Sequence, residues 1–347
     1  MGRGAGHRTW RGARREAHGE ARRAEGVAPS TGGPLAVYFG LPVERGTCTA
    51  GDQMPEFYPN NFGALPEEES SLQSARFVVL SLPYEVTTSY GKGTKFGPGA
   101  IIEASRNMEL FDEELSFEPC MAGIHTAGDL LFHDTAPEAM VQTVEEAVRH
   151  YLDLGKTVVC LGGEHNLTYP IVKAHIGRYP GMGVVQIDAH ADLRDRYEGS
   201  EHNHACAMRR VASLTRRLGQ VGIRSLSREE SEFLKAEGSW KVVWAREAAA
   251  SDAWVDEVIA SMPPEVYLTV DIDGFDPSLV PSTGTPEPGG LTWYPTLAFL
   301  KRLCAERRVV GFDLMELAPD RSRPAPDFLA ARLIYKLMGY IQAGERR

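Results

Sequence analysis

Short apolar runs alternate with segments of helical spacing along most of this 347-residue chain. Residues 77–80 are wholly apolar and residues 157–161 nearly so, which is typical of strands buried on both faces. Residues 137–154 instead repeat apolar side chains at the spacing of an amphipathic helix. Because parallel strands need a long crossover, usually a helix, the alternation predicts an α/β fold built on a parallel sheet.

The same patterns place seven strands and eight helices. Strands are predicted at 77–80, 157–161, 183–187, 221–223, 242–244, 266–272 and 309–314. Helices are predicted at 100–107, 137–154, 168–176, 205–218, 228–236, 252–262, 295–306 and 325–341. No internal repeat interrupts this order.

Composition narrows the class of protein further. The formal net charge is −10, which argues against nucleic acid as a general partner. The sequence has no apolar run of about 18 residues, so no membrane partner is expected. The five cysteines are scattered and form no CxxC pair, which indicates reduced thiols and predicts a cytoplasmic protein.

The N-terminal segment differs from the rest of the chain. The first 25 residues hold seven Arg and three Glu, and so a net charge of +4, with little apolar content. Such a segment cannot bury enough surface to order itself. We therefore expect residues 1–53 to be an extension, disordered or produced by a start upstream of the native one at Met54. Residues 54–347 are expected to form a single domain.

Two acidic motifs each follow a predicted strand: Asp-Ala-His-Ala-Asp at 188–192 and Asp-Ile-Asp at 271–273. The period-two alternation of a strand lets Asp188 and His190 point the same way, and likewise Asp271 and Asp273. Ligands of parallel sheets bind at the carboxyl ends of strands, where these motifs lie. Carboxylates crowded together repel one another unless a cation neutralises them. Metal is therefore predicted, most simply as two ions that share ligands.

A further His follows another strand, in Gly-Gly-Glu-His at 162–165. The glycines permit a tight turn and a close backbone approach. Together the motifs supply two His and four Asp, an oxygen-rich set that suits manganese better than zinc or calcium. Two ions about 3.5–4 Å apart lower the pKa of water. The predicted reaction class is thus metal-assisted hydrolysis, of a phosphate ester, an amide or a guanidine.

At this point the chain resembles the ureohydrolase family of arginases and agmatinases. The resemblance runs from about Phe77 to the C-terminal helix. Five ordered motifs carry it: Gly-Gly-Glu-His at 162–165, Asp-Ala-His-Ala-Asp at 188–192, Asp-Ile-Asp-Gly-Phe-Asp-Pro at 271–277, Gly-Thr-Pro-Glu-Pro-Gly-Gly at 284–290 and Gly-Phe-Asp-Leu-Met-Glu at 311–316. It implies a three-layer α/β/α fold around an eight-stranded parallel sheet, and a homotrimer or homohexamer.

The resemblance also implies a binuclear site with two Mn²⁺ per subunit. The implied ligands of one ion are His165, Asp188, Asp192 and Asp271, and those of the other are Asp188, His190, Asp271 and Asp273. Two of these acids, Asp188 and Asp271, would bridge the ions. All six ligand positions are filled in this sequence, which disfavours a metal-stabilised binding protein without turnover.

Two more residues receive roles through the resemblance, and two others are candidates because an acidic loop suits a substrate whose far end is an amine. Glu316 matches the carboxylate that binds the guanidinium group, and a carboxylate fork suits a planar cation. His204 matches a mobile, proton-shuttling His and fits better than its neighbour His202. Asp195 or Glu198, in the loop at 193–200, is a candidate for contacting the amine tail of a substrate.

The loop at 193–200 and the segment 84–93 resemble their agmatinase counterparts, whereas Asn203 departs from the Ser expected before the His. The prediction is hydrolysis of agmatine to putrescine and urea, with His204 delivering a proton to the departing amine. The same chemistry on aminopropylagmatine, guanidinobutyrate, guanidinopropionate or arginine remains open. A deacetylase is disfavoured, because that fold-related class uses one zinc with a His-His pair and a Tyr.

Overall fold

The computed structural model describes residues 59–346, and the predicted extension over 1–53 lies outside them. Eight strands of the described chain form one sheet in the order β2-β1-β3-β8-β7-β4-β5-β6. All of the neighbouring pairs run parallel. The predicted parallel α/β architecture with eight strands is confirmed, while the single domain over 54–347 stays a prediction.

The strands are β1 (Phe77–Leu82), β2 (Ile124–Asp129), β3 (Thr157–Gly162), β4 (Gly183–Ile187), β5 (Leu218–Ile223), β6 (Lys241–Trp244), β7 (Glu265–Asp271) and β8 (Arg308–Met315). The α-helices are α1 (Glu67–Ser70), α2 (Gly97–Ser105), α3 (Pro137–Asp153), α4 (Thr168–Arg178), α5 (Ala207–Ala212), α6 (Arg228–Glu237), α7 (Ala245–Ala250), α8 (Trp254–Ser261), α9 (Trp293–Glu306) and α10 (Ala325–Glu345). None of the helices within residues 59–346 combines the length and apolarity needed to cross a bilayer.

Each strand divides its side chains between two apolar layers, one on each face of the sheet. Val79 and Leu161 belong to the layer that also holds side chains of α2, α8, α9 and α10. Leu80 and Cys160 belong to the layer that holds side chains of α3, α4 and α5. Successive strand residues therefore pack on opposite sides, and the three-layer α/β/α arrangement follows.

The structure corrects the sequence prediction at the sheet edge and in one helix. Strand β2 was not predicted, because its sequence has neither an apolar run nor the alternation of a half-buried strand. In the structure only Ile124 of its six residues is buried. The helix predicted over 205–218 is limited to a 3₁₀ turn and the short α5. Leu218 instead begins β5, where it pairs with Val184 and is buried in the sheet.

Four adjacent strands place the polar motifs along one edge of the sheet. β3, β8, β7 and β4 are neighbours in that order. Their carboxyl ends lead to His165, Glu316, Asp271 and Asp188, respectively. Residues more than 150 positions apart in sequence are thereby brought to one place.

The first turn of helix α10 holds a buried acid, Asp327, whose Oδ1 has no hydrogen-bond partner among residues 59–346. Burial, assisted by the charge of Asp320, raises the pKa of Asp327 from 3.8 to about 6. A charge in the first helical turn gains only about 0.3–1 kcal/mol from the helix dipole. The folded protein therefore binds more protons than the unfolded chain between pH 3.8 and about 6, and stability falls as the pH rises through this window.

Asp327→Asn is expected to raise the free energy of unfolding at pH 8 by about 1 kcal/mol, because it removes an unpaired buried charge. At pH 5, where the native carboxyl is mostly protonated, the variant and the parent should differ little. Urea unfolding at both pH values, with equal metal loading, measures the effect. The exposed Asp252→Asn serves as control, and an equal gain at the two pH values would contradict the prediction.

Candidate metal centre

The acidic motifs form turns that their own carboxylates close. Asp188 Oδ1 accepts a hydrogen bond from the His190 amide at 2.6 Å. Asp271 Oδ1 accepts one from the Asp273 amide at 3.0 Å. Asp and Asn favour such turns because the side chain satisfies the backbone two residues on. The second oxygen of each first Asp, Oδ2, lies near His165 Nδ1; that of Asp188 also accepts from Gln186 Nε2 at 2.6 Å.

The first group of ligand atoms surrounds the Nδ1 atom of His165. This nitrogen lies 3.0 Å from Asp188 Oδ2, 3.0 Å from Asp192 Oδ2 and 3.4 Å from Asp271 Oδ2. His165, Asp188 and Asp192 can offer one atom each to a common ion. Asp188 and Asp271 thus both have an oxygen within 3.4 Å of the same nitrogen, which is close enough for the two acids to share a cation.

The second group surrounds His190. Its Nδ1 atom lies 3.0 Å from Asp273 Oδ2 and 3.6 Å from Asp188 Oδ1. These three residues can also offer atoms to a common ion. Asp188 belongs to both groups and uses a different oxygen in each, which is the geometry of a bridging carboxylate.

The electrostatics of the two groups fit divalent cations. Burial, together with the charges of Asp273 and Asp188, raises the pKa of Asp271 well above its usual range. Burial and the charge of Asp188 raise the pKa of Asp192 to about 7. Burial alone would lower the pKa of His190, but Asp273 and Asp188 outweigh it and raise that pKa to about 12. Protons held this way are what a cation replaces on binding, because the ligand forms are deprotonated.

Two residues of the site have left-handed backbone conformations. Asp192 has a φ of 53° and Glu316 a φ of 65°. Such conformations cost about 1–3 kcal/mol each for residues with a side chain. Glu316 is held by its amide, which donates to the Gly163 carbonyl at 2.8 Å, and by its Oε1, which accepts from the His165 amide at 2.8 Å. The guanidinium-binding candidate is thereby fixed to the backbone of a candidate ligand.

Gly163 explains the paired glycines before His165. A Cβ atom at this position would lie 1.9 Å from the carbonyl oxygen of Tyr84. The close backbone approach predicted from the sequence is confirmed at this residue.

A cavity of about 250 Å³ opens onto both groups of ligands. Glu316 and His204 line it, together with Arg194, Tyr197 and Thr285. Glu316 is buried, and burial followed by the charge of Glu164 raises its pKa well above the usual range. The cavity therefore combines two groups of candidate metal ligands, a buried carboxylate and an imidazole.

His204 is oriented by a hydroxyl group. Thr87 Oγ1 donates to Glu164 Oε2, so it accepts from the His204 amide at 3.1 Å and lies 3.2 Å from His204 Nδ1. Because the hydroxyl proton is used on Glu164, His204 carries its own proton on Nδ1 and leaves Nε2 free. Burial lowers the pKa of His204 to about 4. The neighbouring His202 stacks on Tyr169 instead, with ring centroids 5.7 Å apart.

The two candidates for the substrate tail are not brought into the lining of this cavity. Asp195 is exposed and pairs with Arg210 at 2.6 Å and with Arg209 at 3.8 Å. Glu198 is exposed as well. Their contact with a substrate tail stays a prediction.

Arg224 is a site residue that the sequence analysis missed. Its Nη2 donates at 2.7 Å to the carbonyl oxygens of both Asp273 and Glu287, and its Nη1 donates to that of Gly222 at 3.1 Å. The guanidinium thus ties the turn of a candidate ligand to the loop at 284–290. The sequence contained one signal for Arg224: it is an Arg directly after a strand that is buried on both faces.

Comparisons with known proteins agree with this geometry. A family model described as Arginase family matches residues 75–339. An N(1)-aminopropylagmatine ureohydrolase of Synechocystis sp. is 45% identical over 302 residues, which cover 83% of this chain and 98% of the relative. An agmatinase of Pyrococcus horikoshii is 37% identical, with 77% and 93% covered. The crystal structure of the agmatine ureohydrolase of Thermoplasma volcanium superposes with a TM-score of 0.75 at 30% identity, with 84% and 97% covered.

Proposed function

Because this chain belongs to the arginase family of hydrolases that act on guanidino C–N bonds, we propose that its substrate is a linear guanidine with an amine tail. The products would be urea and a polyamine. One observation carries the proposal: the buried carboxylate of Glu316 lines the same cavity as both groups of ligand atoms and His204. A planar guanidinium is the cation that a fixed carboxylate fork holds best.

The proposed cofactor is a pair of Mn²⁺ ions per subunit. The residues proposed to hold them are His165, Asp188, His190, Asp192, Asp271 and Asp273. When bound, two such ions neutralise the carboxylates and make hydroxide available near neutral pH. The set of four carboxylates and two imidazoles, without a thiolate, supports manganese over zinc. The assembly proposed from the family resemblance, a homotrimer or homohexamer, is tested by light scattering.

Glu316 and His204 are proposed to bind the substrate and to transfer a proton, respectively. Glu316 binds the guanidinium and orients its carbon toward the ligand groups. His204 is neutral near pH 7, because its pKa lies at about 4. Its free Nε2 can therefore take up a proton that water releases and pass it to the departing amine, as general acid–base catalysis requires.

Two amine-tailed guanidines compete as the physiological substrate. Agmatine is the prediction from the sequence motifs at 84–93 and 193–200. The relative from Synechocystis sp., which is 45% identical, is named for N(1)-aminopropylagmatine, and this similarity favours the longer substrate. We propose N(1)-aminopropylagmatine as the preferred substrate and agmatine as the second.

Urea release from a panel of guanidines tests the proposal. The panel holds agmatine, N(1)-aminopropylagmatine, guanidinobutyrate, guanidinopropionate and arginine, each with Mn²⁺-loaded protein. We expect kcat/KM for the two amine-tailed compounds to exceed that for the acids by about 100-fold, since a site shaped for one polar group rejects its opposite. Absence of urea from every compound would instead favour a metal-stabilised binding protein.

Thr87→Val is expected to lower kcat by about 10- to 100-fold, because a misoriented His204 transfers protons poorly. KM and manganese content should change little, since Thr87 bonds to His204 and Glu164 rather than to a proposed ligand. Steady-state kinetics and metal analysis measure both. Thr87→Ser retains the hydroxyl and should restore most of the rate; failure of this rescue would contradict the assignment.

A further inference from the structure

Strand β7 stacks three polar side chains on one face below the candidate metal centre. Tyr267, Thr269 and Asp271 are two positions apart and therefore point to the same side. Asp271 faces the centre, Thr269 lies one layer below it, and Tyr267 lies below Thr269. All three are buried, which is unusual for polar groups unless each has a hydrogen-bond partner.

Tyr267 and Thr269 share one hydrogen-bond partner, Asp313 on the neighbouring strand β8. Thr269 and Asp313 are paired in register. Asp313 Oδ1 accepts from Thr269 Oγ1 at 2.6 Å, and its Oδ2 accepts from Tyr267 at 2.8 Å and from Thr168 at 3.1 Å. Asp313 is fully buried, and no Lys or Arg of residues 59–346 forms an ion pair with it. Three hydroxyl donors take the place of a counter-ion.

The direction of the protons follows from the carboxylate, which can only accept when ionised. Burial raises the pKa of Asp313 to about 6, so it is ionised at pH 8. The proton of Thr269 therefore points to Asp313, and Thr269 Oγ1 accepts from His165 Nε2, 2.9 Å away. With Nε2 of His165 committed as a donor to Thr269, its Nδ1, which lies 3.0 Å from Asp188 Oδ2 and from Asp192 Oδ2, is the atom left for a cation.

We propose that Asp313 is a positioning residue of the metal centre. Through Thr269 it fixes the tautomer and the ring orientation of His165, and thereby the affinity for the cation that His165 holds. Neutral imidazole binds a metal through its lone pair, and an acceptor on the opposite nitrogen holds the ring in place. The inference rests on the proposed manganese centre but not on the identity of the substrate.

The test is a titration of metal-free protein with Mn²⁺ at pH 8, in which the electron paramagnetic resonance signal of free Mn²⁺ reports binding. Asp313→Asn and Thr269→Val are each expected to lower the affinity for the ion proposed at His165 by about 10- to 100-fold. The affinity for the ion proposed at His190 should be unchanged, because His190 makes no hydrogen bond to the relay, the hydrogen-bonded chain from Asp313 through Thr269 to His165. Thr269→Ser keeps the hydroxyl and should bind both ions like the parent.

A matched control comes from another buried threonine. Thr296 on α9 donates its hydroxyl to the Thr292 carbonyl, so Thr296→Val loses a buried hydrogen bond without touching the relay. Its Mn²⁺ affinity should equal that of the parent. The double variant Thr269→Val/Asp313→Asn should bind Mn²⁺ no more weakly than the weaker-binding single variant, because both changes break the same chain of hydrogen bonds.

Parent-like affinity for both ions in Asp313→Asn and Thr269→Val would overturn the proposal, as would strictly additive losses in the double variant. If Asp313→Asn fails to fold by circular dichroism, the comparison of Thr269→Val with Thr269→Ser decides alone. A parent protein that binds no Mn²⁺ would refute the metal centre itself. A protein that binds two ions but releases no urea from any guanidine would refute the proposed hydrolysis and leave the inference about Asp313 intact.

Discussion

Asp188→Asn is expected to lower kcat/KM for urea release by about 10⁴-fold, equivalent to ~5 kcal/mol of transition-state stabilisation. Among the described residues, Asp188 is the one acid common to both groups of ligand atoms. Its Oδ2 lies 3.0 Å from His165 Nδ1, and its Oδ1 lies 3.6 Å from His190 Nδ1. Asparagine preserves the shape but removes the charge that two cations would share, so both ions lose a ligand at once.

Manganese content and kinetics together decide this prediction. The variant should retain fewer than two ions per subunit after gel filtration, and added Mn²⁺ should restore only part of the rate. Asp256→Asn is the matched control, because Asp256 is exposed on α8 and pairs with Arg302; its kcat/KM should stay within about twofold of the parent. An Asp188→Asn protein with two ions and full activity would show that the centre lies elsewhere.

The gathering of the six candidate ligands at one place was predictable because it follows from local geometry. Alternation along a strand places Asp271 and Asp273 on one side, and the parallel order of strands brings their loops together. The six predicted ligand residues indeed gather in two adjoining groups. Glu316 and His204 also line the cavity beside these groups. Their chemical roles, like those of the ligands, stay predictions until tested.

The supporting residues were missed because their contacts are remote in sequence. Thr87 and His204 are 117 positions apart, and Thr168 and Asp313 are 145 apart. A hydrogen bond of this kind leaves no periodic trace in the sequence. One signal was present but unused: Tyr267 and Thr269 alternate with apolar residues in a strand that is buried on both faces. A polar side chain at such a position needs a partner, and the partner indicates a network.

Two other features were not predictable from the sequence: the edge strand β2 and the surroundings of the candidate residues for the substrate tail. Strand β2 is mostly half-buried, so its sequence lacks the apolar run that marked the inner strands. Asp195 was a candidate on charge alone, yet Arg210 and Arg209 surround its carboxylate in the structure. A charge count along a loop does not reveal which acids already have cationic partners.

His204→Asn is the second large effect, and we expect it to lower kcat by about 10²- to 10⁴-fold, the range that general acid–base groups contribute. The reaction must place a proton on a strongly basic alkylamine as it departs. His204 lines the cavity, and its Nδ1 is held by Thr87, so its Nε2 is the atom available for this transfer. Asparagine fills a similar space but cannot carry a proton between water and the amine.

Manganese content should remain two ions per subunit in His204→Asn, because none of the six proposed ligands is replaced. KM for the guanidine should change little, since Glu316 remains in place. His202→Asn is the control: His202 stacks on Tyr169 outside the lining of the cavity, so its rate should fall by no more than about threefold. Loss of manganese from His204→Asn would make this residue a ligand rather than a proton shuttle, and an equal loss of rate in His202→Asn would transfer the role to the neighbour.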